Sequence, residues 1–190
     1  MPINILPIED DPTDALLFTE SVRAASNDNE FEITNAVRME EAIDLLNQKG
    51  FQAILLDLNV IDSQGTDTVK SLKEECQHTP IIVLTGLDNE DMLREALQSG
   101  AQDYFIKGRE DGYSLKRAIK YSIERMKLQV KLYEQATHDS LTGLASRRLF
   151  DDRLKQAIAH SQRHKFPFAL MYIDLDKFKD INDALGHKYG

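Results

Sequence analysis

Short apolar runs alternate with helical patterns along the first two thirds of the chain, and this alternation limits the fold more than any other feature. Residues 3–8, 31–36, 53–56, 80–84 and 104–106 read as strands. Residues 53–56 are apolar at every position, as expected of a strand buried on both faces. Between the strands lie helix signatures. After Pro12, tolerated in a first helical turn because the donor it lacks would be unpaired there, Ala15, Leu16, Phe18, Val22 and Ala25 recur at helical spacing. Residues 39–49 turn Ala42, Ile43, Leu45 and Leu46 inward, with Gly50 expected in the left-handed cap position. Helices are also expected over 66–75, over 88–99 with Gly100 as cap, and from about Tyr113 onward. Strand–helix alternation implies parallel pairing through right-handed crossovers. The expected fold is therefore α/β, a doubly wound five-stranded parallel sheet.

The last of these helices outruns the sheet. Ile119, Ile123, Met126, Val130, Tyr133 and Thr137 follow steps of four and three, a heptad seam. Beyond about residue 124 the seam is expected to have left the sheet and to need a partner, which favours a dimeric stalk. A polar turn follows at 138–144, then a helix over 147–163, an apolar strand over 168–173 and a helix over 177–185.

Composition narrows the function. The chain of 190 residues is 42% hydrophobic and 29% charged, which places it in the globular class. A net charge of −9 disfavours non-specific binding to nucleic acid, and the Lys- and Arg-rich stretch 107–131 reads as a mixed-charge helix surface. No run is long and apolar enough to cross a bilayer. The single cysteine, Cys76, excludes an internal disulfide and fits a reducing compartment, so a cytoplasmic location is expected.

The chemistry gathers at strand ends. In a parallel sheet, ligands collect outside the carboxyl ends of the strands, near the point where strand order reverses. Glu9 and Asp10 end the first strand, Asp57 the third and Thr85 the fourth, and Lys107 follows the fifth. Carboxylates brought that close repel one another unless a proton or a cation intervenes. An all-oxygen set with few protein donors suits Mg²⁺. A carboxylate can serve as the nucleophile toward a phosphoryl group, with Lys107 as a second positive contact and the Thr85 hydroxyl as a donor. Asp11 reads as a helix cap.

Ile8-Glu9-Asp10-Asp11, Leu55-Leu56-Asp57-Leu58-Asn59, Leu84-Thr85-Gly86 and Tyr104-Phe105-Ile106-Lys107-Gly108 together resemble the receiver domains of two-component response regulators. The resemblance implies a flavodoxin-like sheet of order 2-1-3-4-5 over residues 1–124, with Asp57 as phosphoacceptor. It implies Mg²⁺ held by Asp10, Asp57 and the backbone carbonyl of Asn59, with Glu9 assisting through water. It also implies Thr85 and Tyr104 as a switch pair, and a sensor histidine kinase or phosphotransfer protein as partner. Two residues depart from the family pattern. Ile61 stands where proline is usual, so a looser loop is expected after Asp57. Pro7 interrupts an inner strand and removes one ladder donor, at a cost of about 1–3 kcal/mol if a carbonyl is left unpaired.

Residues 139–148, Asp139-Ser140-Leu141-Thr142-Gly143-Leu144-Ala145-Ser146-Arg147-Arg148, resemble the opening motif of GGDEF diguanylate cyclase domains, with Ser146 in place of a usual Asn. Residues 174–183, Asp174-Leu175-Asp176-Lys177-Phe178-Lys179-Asp180-Ile181-Asn182-Asp183, resemble their first active-site segment. That resemblance implies metal binding by Asp174, phosphate contact by Lys179 and guanine reading by Asn182. With GTP and Mg²⁺, an intact domain would make cyclic di-GMP. Residues 139–190 stop before the signature loop, so they are expected to be inactive alone and marginal in stability. The expected organisation is receiver 1–124, helical signalling linker 125–138 and partial GGDEF segment 139–190, with phosphorylation favouring a homodimer. Other readings are a stand-alone receiver serving as phosphate sink or interaction switch, and a degenerate GGDEF nucleotide-binding module.

Overall fold

A computed structural model describes all residues except Met1, Asp28, 87–89, Arg109, Glu110, Ser140, Leu175, 179–182 and 184–190. The chain divides into two units, Met1–Glu134 and Gln135–Gly190. In chain order the first holds β1 (Ile3–Ile8), α1 (Pro12–Ala24), β2 (Phe31–Ile33), α2 (Met39–Gln48), β3 (Ala53–Asp57), β4 (Asn59–Val60), β5 (Ser63–Gln64), α3 (Asp67–Glu75), β6 (Ile81–Thr85), α4 (Glu90–Gln98) and β7 (Asp103–Ile106). Helix α5 (Gly112–Thr137) then runs on into the second unit, where α6 (Arg147–His164) follows.

The sheet is parallel throughout, in the order β2-β1-β3-β6-β7. Counting these five strands alone, this is the expected 2-1-3-4-5. Alternate residues of each strand feed opposite cores, because side chains in a strand repeat with period two. Leu6, Ile54, Leu56 and Val83 pack with Met39, Val69 and Ala96 of α2, α3 and α4. Ile5, Leu55, Leu84 and Phe105 pack on the other face with Phe18, Val22, Leu115 and Ile119 of α1 and α5. Residues 53–57 are all buried, as the unbroken apolar run of β3 requires.

Pro7 is accommodated by the way β2 ends. The Thr34 amide donates to the Ile5 carbonyl (3.1 Å) and the Ala36 amide to the Pro7 carbonyl (2.8 Å), so Pro7 turns its polar edge toward β2. Continuing that register, the donor proline lacks would have met the carbonyl of Thr34, the first residue past the end of β2. Bonding toward β3 passes through the alternate residues. The proline thus coincides with the early end of an edge strand, and 31–36 is strand only to Ile33.

Two further expectations change. Gly50 is not left-handed: α2 leaves through Lys49 in extended backbone (φ −145°), and the Lys49 ammonium reaches the Thr34 hydroxyl at 2.7 Å. Gly100 does take the left-handed cap after α4 (φ 111°). Along α5, Ile119, Ile123 and Met126 are buried, and Val130 lines a groove with Phe51 and Pro80. The helix has not left the receiver unit at residue 124, so the upper seam is spent on its own domain. Further along the seam Tyr133 is 55% exposed, and off the seam Tyr121, Leu128 and Leu132 form an exposed stripe at 65%, 60% and 65%.

In the second unit, Asp139 accepts from the amides of Leu141 (3.2 Å) and Thr142 (2.9 Å) and from the Thr142 hydroxyl (2.9 Å), closing the polar turn. Ser146 caps α6, accepting from the Leu149 amide at 3.4 Å, a role serine fills as well as asparagine. The expected strand over 168–173 is absent, and Met171, Tyr172 and Ile173 are 77–92% exposed. A strand needs a neighbour to pair with, and the described residues of this unit provide none. Of the expected helix 177–185, Phe178 and Asp183 are helical and most of the rest lies outside the described residues.

Candidate functional site

The order β2-β1-β3 places the reversal of strand order between β1 and β3, the position where α/β sheets open a crevice at their carboxyl ends. Pairing of Ile8 with Leu56 sets Glu9 beside Asp57, and pairing of Thr85 with Ile106 brings Lys107 in from the edge strand β7. The Lys107 amide donates to the Thr85 carbonyl at 2.8 Å and fixes the root of that side chain.

Glu9 and Asp57 are 3% and 8% exposed. Carboxylates so buried persist only when paired. The Lys107 ammonium lies 2.6 Å from Glu9 Oε2, 2.5 Å from Asp57 Oδ2 and 2.8 Å from Asp14 Oδ2. These contacts use all three of its N–H donors. The second oxygen of Asp57 accepts from the Asn59 amide at 2.9 Å, and that of Glu9 from the Asp11 amide at 3.2 Å. Burial pushes the Glu9 carboxyl above its ordinary range despite the Lys107 contact. For Lys107 burial works in the opposite sense, but hydrogen bonds to Asp14, Asp57 and Glu9 outweigh it and hold the ammonium above the usual lysine value.

Asp10 completes the group. One carboxylate oxygen from each of Glu9, Asp10 and Asp57 lies within 4.8 Å of the others. Among the described residues, the Lys107 ammonium meets three carboxylates and Asp10 lies beside two of them, so negative charge is in excess. That donor set, all oxygen and under-neutralised, fits a hard divalent cation. Asp11 serves as the α1 cap, accepting from the amides of Thr13 (2.7 Å) and Asp14 (3.2 Å).

Thr85 is buried at the end of β6. Tyr104 lies two residues before Ile106, the register partner of Thr85, so the two share a face of the sheet. Tyr104 is 37% exposed, beside Arg117 and Tyr121 on the rim of a surface groove. In the second unit Asp174 is exposed in a segment without regular structure, while Lys179 and Asn182 lie outside the described residues.

Two residues were not singled out from the sequence. Asp14, in the first turn of α1, reaches Lys107, a partner 93 residues away that no local spacing announces. Asp62, in the β4–β5 hairpin after Asp57, caps α2 in place of Arg38, accepting from the amides of Met39 (2.9 Å) and Glu40 (3.2 Å). The Ser63–Thr68 hydroxyl contact (2.6 Å) and the Gly65 amide bond to the Leu58 carbonyl (2.8 Å) hold the same hairpin. The loop expected to be loose for want of a proline is therefore tied down by other means, with Ile61 exposed at its tip.

Residues 5–120, more than half the chain, match the response regulator receiver domain family, and residues 136–190 match the family described as diguanylate cyclase, GGDEF domain. The chain resembles the CheY-like response regulator receiver domain protein of Methanospirillum hungatei JF-1 (TM-score 0.59, 19% identity, covering 68% of this chain and 99% of that one). It also resembles the receiver domain of the sensor histidine kinase PA1611 from Pseudomonas aeruginosa PAO1, whose active-site cleft coordinates a magnesium ion (TM-score 0.56, 22% identity, covering 65% and 99%). At those identities the likeness shows the fold. The diguanylate cyclase TpbB of Pseudomonas aeruginosa UCBPP-PA14 is 48% identical over 59 residues, which are 31% of this chain and 14% of that relative. The chain thus spans a small part of the curated relatives it matches. No described helix is long and apolar enough to cross a membrane. On its sheet, its strand-end cluster and its family match, the chain belongs to the response regulator receiver family, and its residues 136–190 are similar to the GGDEF domain family.

Proposed function

We propose that the chain is the input half of a two-component diguanylate cyclase, phosphorylated on Asp57 by a sensor histidine kinase or phosphotransfer protein in the cytoplasm. The observation that carries this reading is the placement of Asp57 at the end of β3, between the Lys107 ammonium and the Asn59 amide, with Glu9 and Asp10 alongside. An oxygen of Asp57 attacks the phosphorus of a phosphohistidine; the P–N bond breaks, and the electron pair leaves with the imidazole, which takes up a proton. Asp10, Asp57 and the Asn59 carbonyl would hold Mg²⁺, with Glu9 assisting; the ion supplies charge neutralisation for the phosphoryl group. Lys107 contacts a phosphoryl oxygen, and Thr85 turns its hydroxyl toward the phosphate while Tyr104 moves inward.

The output follows from the GGDEF match. Phosphorylation favours a homodimer through the receiver and α5, which sets two cyclase domains face to face with one GTP each, a shift of population toward the paired form. Asp174, Lys179 and Asn182 serve metal, phosphate and guanine respectively in the intact domain. Intact mass after acetyl phosphate and Mg²⁺ tests the input step. A single phosphoryl adduct on the wild type and none on Asp57→Asn is expected; an adduct on the variant would move the acceptor elsewhere.

A further inference from the structure

We infer that Asp14 is a positioning residue for this same site, and that its carboxylate latches Lys107 in a resting position that must open each time Asp57 takes phosphate. The inference rests on the reading of Asp57 as phosphoacceptor. Lys107 has three N–H donors, and Glu9, Asp14 and Asp57 occupy all three. To meet an arriving phosphoryl oxygen, the ammonium must give up one of them.

The three contacts are not equal. Asp57 is the reacting group. The Glu9 side chain is 3% exposed, so losing its cation would strand a buried charge. The Asp14 side chain is 39% exposed, in the first turn of α1, and can exchange lysine for water. Asp14 and Lys107 both line a cavity of about 390 Å³ between α1 and the start of α5, which leaves the lysine room to swing. Asp14 is not in the carboxylate group able to share a cation, which comprises Glu9, Asp10 and Asp57. Its charge therefore acts on the lysine and on the incoming phosphate dianion, and in both respects it slows the transfer.

The test is the rate of adduct formation from acetyl phosphate and Mg²⁺, read by intact mass on wild type, Asp14→Asn, Asp14→Glu and Asp11→Asn. Asp14→Asn is expected to take phosphate about three- to tenfold faster at low ionic strength, with the gain shrinking as salt is raised. Asp14→Glu restores the wild-type rate. Asp11→Asn removes the same charge three residues away without touching Lys107, keeps the helix cap and leaves the rate nearly unchanged. Circular dichroism confirms that each variant is folded. Equal rates for wild type and Asp14→Asn, or an equal gain in Asp11→Asn, overturn the latch and leave the Asp57 reading standing. A folded wild type that takes no phosphate overturns both.

Discussion

Two glycines show how position decides what a single residue contributes. A methyl group on Gly112 would stand 2.0 Å from the Ser21 carbonyl oxygen and 2.6 Å from its carbon, backbone atoms that cannot step aside without moving α1. Gly112→Ala is therefore expected to cost about 3 kcal/mol, an overpacking penalty at the upper end of the usual range. Gly50 has open space around its Cβ position and no positive φ. Gly50→Ala is expected to be neutral, or to stabilise by about 0.5 kcal/mol through the unfolded chain. Urea midpoints of the two variants check both statements; a loss of about 1 kcal/mol at Gly50 would return that residue to the left-handed cap position. Neither result could be read from the sequence: helix ends at Gly50 and Gly100 look alike until the backbone angles are known, and the clash at Gly112 is with Ser21, far away along the chain.

Elements in this fold are tied together by charge placed at their ends. Glu30, between α1 and β2, accepts from Lys116 (2.6 Å) and also pairs with Lys120, both on α5. Those two lysines pull its carboxyl from an ordinary 4.5 down to about 2. A carboxyl depressed in the folded state stabilises fully above its unfolded value and loses that effect as pH falls toward the folded one. Glu30→Gln should thus cost about 1 kcal/mol at neutral pH, and the gap to wild type should close between pH 4.5 and about 2. Unfolding midpoints measured across that range would refute this if the gap stayed constant. Asp62→Ala should cost about 1 kcal/mol by uncapping α2, with the β4–β5 hairpin losing amide protection in hydrogen exchange. The strands and the strand-end cluster were legible because each strand carries its own pattern and its own terminal residue, whereas the sheet order came only from the resemblance of those strand-end motifs to receiver domains. The Asp62 cap was not, since its partners lie 22 and 23 residues earlier and no local spacing announces them. The strand expected at 168–173 fails for the complementary reason: its apolar pattern is local, but its pairing is not.

At the scale of the whole molecule, α5 decides how a phosphate on Asp57 could be felt beyond the receiver. Its sequence shows one apolar seam, yet Ile119, Ile123 and Met126 are buried within the receiver unit. The stripe left outward, Tyr121, Leu128 and Leu132, recurs at steps of seven and four, which keeps it on one face of a helix. Exposed leucines in that arrangement suit a second α5 laid alongside. If phosphorylation drives pairing through this stripe, each leucine buried contributes about 1.5–3 kcal/mol. The double variant Leu128→Glu, Leu132→Glu would then weaken the phosphorylated dimer by more than about a hundredfold while leaving phosphorylation of Asp57 intact. Light scattering on samples whose adduct has been confirmed by mass separates the two effects. A variant that is phosphorylated but stays monomeric places the interface on this stripe. A phosphorylated variant that still dimerises moves the interface to another face of the receiver, and α5 would then carry the signal only as a rod.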